Sequence, residues 1–497
     1  MVQAEIAVLR FGLGARPGDL AAAAGDPRAW LMAQIMGAVP LAVNTPLAPS
    51  NKIFTELQAA RDEHEKMQRE AAAQSAAGTR TPAPPAAAAT QAAAPAATPV
   101  AAPAFNPVRD AYLPHYRAQV LARAQSAALT ARPFAERLVH FWTNHFAVSA
   151  DKGAVFGIAG TLENEAIRPH VDGRFIDMLI AVEQHPAMIA FLDNQYSVGR
   201  DSELARLAAR RAARQRMAAS GKPGREFGIN ENLAREILEL HTLGVNGGYS
   251  QNDVTTFAQI ITGWSIGGGK GRLAGGNPGR FCFRDNLHEP GSKTFLRKTY
   301  HEHGQRQGEA VLEDLARHPA TAHFIATKLV RHFVADDPPP AAVERVARAF
   351  HKTGGDLPSV YAALIASPEA WDADARKFKT PEDFVFSTLR SLNVSPREPE
   401  EVLRSFDLLG QRQYTPGSPA GWPDTAKSWD GSDALMHRVL WASRVAGRYE
   451  QGIDPVDLAA SSLGAYARPD TVTALRRATS SSQALALLLM SPEFQRR

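Results

Sequence analysis

The sequence predicts one large, mainly α-helical domain carrying a small β-hairpin and a disordered Ala/Pro-rich insertion. Three observations point there. Apolar residues recur at helical spacing over most of the 497 residues. The composition, 44% hydrophobic and 21% charged, suits a globular chain with an ample core. Strand patterning is confined to a short stretch, where Phe281, Phe283, Thr294 and Phe295 flank turn-like Asn286 and Pro290-Gly291.

Taken in order, residues 1–70 read as the N-terminal helical part, ending in a charged, helix-prone segment from Asn51 to Glu70. Residues 71–104 are nearly all Ala, Pro, Thr, Gln, Ser and Gly, with Arg80 the one charge. Such a stretch has too little varied apolar surface to order itself, so a mobile loop is expected. Residues 105–300 form a central lobe with the candidate site, and residues 301–497 a second helical lobe, the boundary falling near Tyr300 to Gly308. Pro133 suits the first position of a helix over Phe134 to Val148. Gly308 to Val334 reads as two helices split near Pro319, and Gly354-Gly355 separates two more, Ala341 to Lys352 and Leu357 to Ala366. A second patch without order is expected between Ser202 and Arg225, where seven cations cluster without an interleaved aromatic.

The bulk numbers exclude several classes. The single Cys282 rules out an intrachain disulfide and a Cys-based zinc site. No apolar run reaches the ~18 residues of a membrane span. The first ten residues lack the charged start and apolar core of a signal peptide. The pI is about 9.1, but 55 cations against 51 anions leave an excess of only +4, which makes nucleic acid an unlikely partner. The glycine-rich run from Gly267 to Gly279 lacks the strand-then-helix setting of a phosphate cradle. A serine nucleophile elbow, a Walker loop and a calcium loop are all missing from the sequence.

Four polar segments stand out within apolar helices. In the first, Asn230 caps a helix over about Glu231 to Leu243 that Gly244 ends. At 100° per residue, Asn232, Arg235, Glu236 and Glu239 share a polar face. His241 falls on the apolar face with Ala234, Ile237 and Leu238. A Glu-x-x-Glu pair can hold a metal or divide acid and base roles, or be neutralised by Arg235. In the second, Glu136, His140 and Asn144 form one stripe and His145 another, within an aromatic cluster. In the third, Glu163 and Glu165 precede Arg168, which is expected to pair with Glu165. In the fourth, Gln184-His185-Pro186 leads into Asp193 and Asn194, which are expected to cap or turn the end of an apolar helix. Outside the helices, His288 and Lys293 lie on the expected hairpin, with Trp264 nearby, and His288 is expected to join the same site. Gly421-Trp-Pro-Asp424 and Trp429 form a C-terminal loop whose aromatics can wall a pocket or pack.

Buried polar groups are costly unless they meet partners, about 1–3 kcal/mol for each lost hydrogen bond. The four segments are therefore expected to converge on one polar site. Glu236, Glu239, His145 and His288 are its candidate catalytic groups. Arg235, Lys293, Trp142 and Trp264 are candidate substrate contacts. Glu163, Glu165, Glu236, Glu239 and His241 are candidate ligands of a divalent metal ion, the one cofactor the pattern suggests. Metal-assisted hydrolysis is the preferred chemistry and redox chemistry the next. The alternative is a non-catalytic binding or assembly protein.

Longer motifs carry a resemblance. Arg10-Phe-Gly-Leu-Gly-Ala-Arg-Pro17, Phe141-Trp-Thr-Asn-His-Phe-Ala-Val-Ser149, Asn230 to Glu236, Glu239-Leu-His-Thr-Leu-Gly-Val245, Gly248 to Val254, Ile261-Thr-Gly-Trp264, His288 to Lys293, Arg317 to Thr321 with Lys328, and Gly421 to Asp424 resemble the bacterial domain of unknown function 1800 family. The resemblance spans nearly the whole chain except the Ala/Pro-rich loop. Arg297 departs from it, standing where Gly is usual. The family brings no established reaction. The resemblance implies a helical fold and a periplasmic or secreted protein. It also implies a partner resembling sulfatases and alkaline phosphatases.

Overall fold

The computed structural model describes residues 2–43, 46–78, 106, 108–217 and 228–497. Helices dominate them, with two small two-stranded sheets, so the predicted mainly α fold is the observed one. The helix from Ser50 continues to Gly78. The rest of the Ala/Pro-rich loop, from residue 79 on, lies outside the described residues, as does most of the stretch after Met217. Within the patch from Ser202 to Arg225, readable as unordered or as a solvated helix followed by a loop, Glu203–Met217 is helical. Arg206, Arg210, Arg211 and Arg214 are exposed on it, and Glu203 in the first turn suits the helix dipole. No described helix is long and apolar enough to cross a membrane.

Helix boundaries follow local chemistry. Pro133 opens Pro133–His145, and Pro319 opens Pro319–Phe333 after Gln305–Arg317. The His318 ring accepts from the Ala320 backbone N–H and caps the latter start. Pro340–Thr353 ends where Gly354 turns left-handed, and Leu357–Ile365 follows with an Asp356 cap. Thr380 and Asp383 form a reciprocal capping box at Pro381–Ser391.

The expected single hairpin is two. Trp264–Ile266 (β1) pairs antiparallel with Phe281–Phe283 (β2), and Lys293–Phe295 (β3) pairs with Lys298–Tyr300 (β4). Phe281 and Phe283 therefore pair back across the glycine-rich run, not forward onto Thr294 and Phe295. Leu296 and Arg297 make the second turn, both at positive φ. Arg297 adopts there the left-handed backbone that Gly takes at no steric cost.

The buried first turn ties the chain's two ends together. Arg10 donates to the carbonyls of Ala370, Asp372 and Ala375, and Phe11 packs among Phe134, Phe333 and Trp371. Arg390 reaches back to the Gly14 carbonyl at 2.8 Å and to Asp19. Gly14 sits at φ +96 with the Ser387 Cβ 2.5 Å from where its own Cβ would be, so no side chain fits. The Arg-Phe-Gly-Leu-Gly motif thus packs against Phe333, the 370–375 segment and the Pro381–Ser391 helix. One aromatic core, with Trp142 at its centre, runs beneath the Pro133–His145 helix.

Candidate functional site

The predicted site residues occupy separate places. Glu163 is fully buried, receiving Arg123, Arg168 and Thr143. Arg168 pairs with Glu136 at 2.6 Å and with Glu163, not with Glu165 as expected. The reason is local: Glu163–Ile167 is wound as a wider π turn, which carries Glu165 away toward Ser50. Glu165 accepts from the Ser50 backbone N–H at 2.6 Å and its hydroxyl at 2.8 Å, and lies 3.4 Å from His185.

Glu236 and Glu239 lie on the half-buried face of Asn232–Glu236 and the π turn Ile237–His241, where one α-helix was expected. The Asn230 side chain accepts from the Asn232 N–H, as a cap does. Arg235 holds Glu231 and Glu239, leaving Glu236, whose carboxyl is pushed up by burial and by the neighbouring Glu239 and Glu183 charges. His241 is fully buried on the apolar face, as the spacing predicts, its Nδ1 2.7 Å from Glu183. His145 does meet His241: its Nε2 lies 3.2 Å from the His241 carbonyl oxygen, within a cage of Phe141, Trp142, Phe146 and Phe324.

His288 and Lys293 clasp their own loop. His288 Nδ1 lies 2.9 Å from the Thr262 carbonyl oxygen, and its Nε2 3.2 Å from Glu302. Lys293 donates to the Glu289 and Gly291 carbonyls. Trp142 and Trp264 are fully buried, Trp142 donating to the Tyr361 hydroxyl at 2.7 Å. Neither tryptophan has surface to offer a substrate. The segments thus meet only in part: Glu136 and Thr143 reach Arg168 and Glu163, and His145 reaches His241, while His288, Lys293 and the Glu236–Glu239 face stand apart. Among the described residues, no group of three or more His, Cys, Asp or Glu side chains is placed to hold a metal ion.

A different cleft collects polar groups with free valences. It lies between the Pro133–His145 helix, the end of Pro319–Phe333, the start of Pro381–Ser391 and the 411–424 loop. His140, His332, Asp383, Tyr414, Trp422 and Asp424 line it. His332 Nδ1 lies 2.7 Å from Asp424 Oδ2. Burial raises the Asp424 carboxyl, but His332 and Lys377 beside it hold it down to about 2. It is therefore ionised and can only accept, so the His332 proton sits on Nδ1 and Nε2 carries the lone pair. Burial also drops the imidazole to about 4, against the opposing pull of Asp424, so the ring is neutral at pH 7. Among the described residues, His332 Nε2 and Asp424 Oδ1 have no hydrogen-bond partner.

The surroundings hold this pair in place. Lys377 donates to the Asp424 and Arg331 carbonyls and lies 2.8 Å from Asp336. Asp383 receives Arg137 and Arg497. Asn144 locks the Asp424 loop from both sides: its amide donates to the Trp422 carbonyl at 2.9 Å, and its oxygen accepts from the Trp422 N–H at 2.7 Å. Gly421 makes this approach feasible, since at φ +83 its backbone lies against Asn144 and a Cβ would collide with the Asn144 carbonyl. Thus the Trp-Thr-Asn-His and Gly-Trp-Pro-Asp motifs meet across the cleft.

The chain belongs to the DUF1800 family. The sequence model of this family of proteins of unknown function matches residues 6–496, nearly the entire chain. No curated protein and no solved structure matches it. The DUF1800 residues that line the cleft were only partly legible in the sequence. The His140–Asn144 stripe shows in the helical spacing, and the Gly421–Asp424 loop shows through its aromatic residue. His332, at the end of an ordinary amphipathic helix, and Tyr414 gave no sequence signal.

Proposed function

We propose that this DUF1800 protein is a hydrolase that activates water at His332. The Asp424–His332 pair with an unpartnered Nε2 in a cleft carries the reading. A neutral imidazole oriented by a carboxylate is the usual form of a general base, worth about 10²–10⁴-fold in rate. Asp424 fixes the tautomer and stabilises the imidazolium that forms as the proton is taken. The reading does not use a metal at Glu163, Glu165, Glu236, Glu239 or His241, because those groups hold other partners in separate places. Redox chemistry draws no support from the cleft's residues. A periplasmic or secreted setting, and a partner resembling sulfatases and phosphatases, rest on the family resemblance alone.

The test is turnover of a panel of esters, amides and glycosides by the wild type, His332→Asn and Asp424→Asn. The expected result is a loss of about 10³-fold in kcat for both variants with the fold intact. Undiminished turnover by His332→Asn refutes the assignment. An exposed apolar stripe, Leu435, Met436, Val439 and Leu440 on Ser432–Tyr449, favours a second reading as a non-catalytic assembly protein. Under it, His332→Asn changes no function, while Met436→Glu with Leu440→Glu abolishes association.

A further inference from the structure

We propose that the cleft takes a neutral carboxamide substrate, recognised by Gln413 and stabilised in its reacting form by Tyr414. This rests on the reading of His332 as the base and adds the substrate class to it. The first observation is charge balance. Six charged side chains line the cleft: Arg123, Arg137, Glu382, Asp383, Arg412 and Asp424. Each faces an opposite charge. Arg123 holds Glu163 and Glu382, Arg137 holds Asp383, Arg412 lies 3.0 Å from Asp151, and Asp424 has Lys377 and Arg497 beside it. An ionic ligand meets no spare charge here and would have to break an existing pair.

The second observation is which groups are left over. Among the described residues, both carboxamide atoms of Gln413, the Tyr414 hydroxyl, His332 Nε2, His140 Nε2, Arg137 Nε and Asp424 Oδ1 find no hydrogen-bond partner, although Lys377 and Arg497 lie 3.6 Å from that Asp424 oxygen and Glu136 lies 3.6 Å from that His140 nitrogen. Gln413 is 5% and Tyr414 7% exposed, so bulk water does not satisfy them. A carboxamide places a donor and an acceptor side by side, and its complement is a group with the same adjacent pair, as another amide has. The Tyr414 hydroxyl stays protonated, burial having pushed it up to about 12, and so offers a proton to a carbonyl oxygen.

The third observation is how rigidly the two are presented. Tyr414 sits at φ +56, a backbone region a bulky residue rarely adopts. Strain of this kind persists only where surroundings over-determine it, and it concentrates at binding sites. Here the Tyr116 hydroxyl donates to the Gln413 carbonyl at 2.9 Å, and the Ala150 N–H donates to the Tyr414 carbonyl at 2.7 Å.

The reaction balances without another reagent. Water gives a proton to His332 Nε2 as its oxygen bonds to the carbonyl carbon. The developing oxyanion is met by the Tyr414 hydroxyl. The carbon–nitrogen bond then breaks, and the amine leaves with the proton that His332 returns. One amide and one water become one carboxylic acid and one amine.

The experiment uses the full chain and ligand-observed NMR. The probes are N-acetylalanine methylamide, acetate, methyl phosphate and methyl glucoside, with acetate release from the amide followed separately. The amide is expected to bind, and the acetate, methyl phosphate and methyl glucoside to give no saturation transfer. Gln413→Ala, and the near-isosteric Gln413→Glu as a variant with preserved packing, should each weaken amide binding at least tenfold. Tyr414→Phe should slow hydrolysis while leaving amide binding within a few-fold. No amide binding by the wild type, equal binding by the folded Gln413→Glu variant, or preferential binding of another probe overturns the proposal. His332→Asn separates the two readings. If it still binds the amide but no longer cleaves it, both stand. If it cleaves undiminished, the base assignment falls while amide recognition by Gln413 stands.

Discussion

At the scale of single residues, burial and pairing decide what each ionisable group can do. Glu136 shows the structural case. Burial alone pushes its carboxyl up, but the bidentate Arg168 outweighs this and holds it far below the usual range. Glu136→Gln leaves Arg168 without its main counter-charge in a buried site. The expected cost is about 3–5 kcal/mol, read as a lower urea midpoint with unchanged slope. His332, the base of the proposed function, contrasts with it, because one nitrogen is held and the other finds no hydrogen-bond partner among the described residues. Its lowered value also makes a kinetic prediction. A base that titrates near 4 should give kcat/KM that rises with pH through roughly 4 and is level by pH 6. A profile still rising through pH 7 would show that some other group is the base. His140 on the neighbouring helix is likewise pushed down, first by burial and then by Arg123, so both rings that line the cleft are neutral at pH 7.

At the scale of elements, the cleft depends on two loop–helix contacts more than on any helix alone. The 411–424 loop is pinned through Asn144 at one end and Tyr116 at the other. Gly421→Ala should therefore do more than strain one residue. It pushes the loop off Asn144 and moves Asp424 away from His332. The expected outcome is a lower melting temperature together with a loss of activity comparable to Asp424→Asn. Thr380→Ala tests a second support. It removes the cap of Pro381–Ser391, which carries Glu382 and Asp383 into the cleft, and should cost about 1 kcal/mol. Much of this level was readable beforehand. Pro133, Pro319, Gly354 and the Asn230 cap all mark real helix boundaries, because capping and proline geometry act within a few residues. The pairing of Phe281–Phe283 with Trp264–Ile266 was not readable. Strand pairing is set by which edge lies near in space, and the alternating pattern is the same for either partner.

At the scale of the whole molecule, the buried histidines and the ion-paired carboxylates couple stability to pH in the same direction, against which the raised Glu236 carboxyl works. His332, His140 and His145 are all held below their free value, with burial as the first cause. The unfolded chain then binds more protons than the native one between the folded values and the free value of about 6.5. Stability is full above that pH and falls as pH drops through this window. Glu136, Asp383 and Asp424 act the same way lower down, since their folded values lie below those of free carboxyls of about 4. Denaturant unfolding at pH 8, 6 and 4 should give steadily lower midpoints, and His332→Asn should flatten the decline between 6 and 4. A constant midpoint over that range would contradict the buried, neutral state of these rings.

The sequence by itself determined what acts over short distances or over bulk: the helical class, most helix boundaries, the two faces around Glu239 and His241, and membership of the family through its long motifs. Tertiary structure alone decided which polar groups meet. Helical spacing says that Glu163, Glu239 and His288 leave apolar surfaces, yet it is silent on which cation or carbonyl each will find. Each found one nearby, so the expected joint site dissolved into separate pairs. His332 and Asp424 lie 92 residues apart, and their 2.7 Å contact exists only because the N-terminal Arg-Phe-Gly segment and the Asn144 clamp bring three distant helices and one loop to the same place. Long-range contacts of this kind are set by packing of the whole core, and no local pattern encodes them.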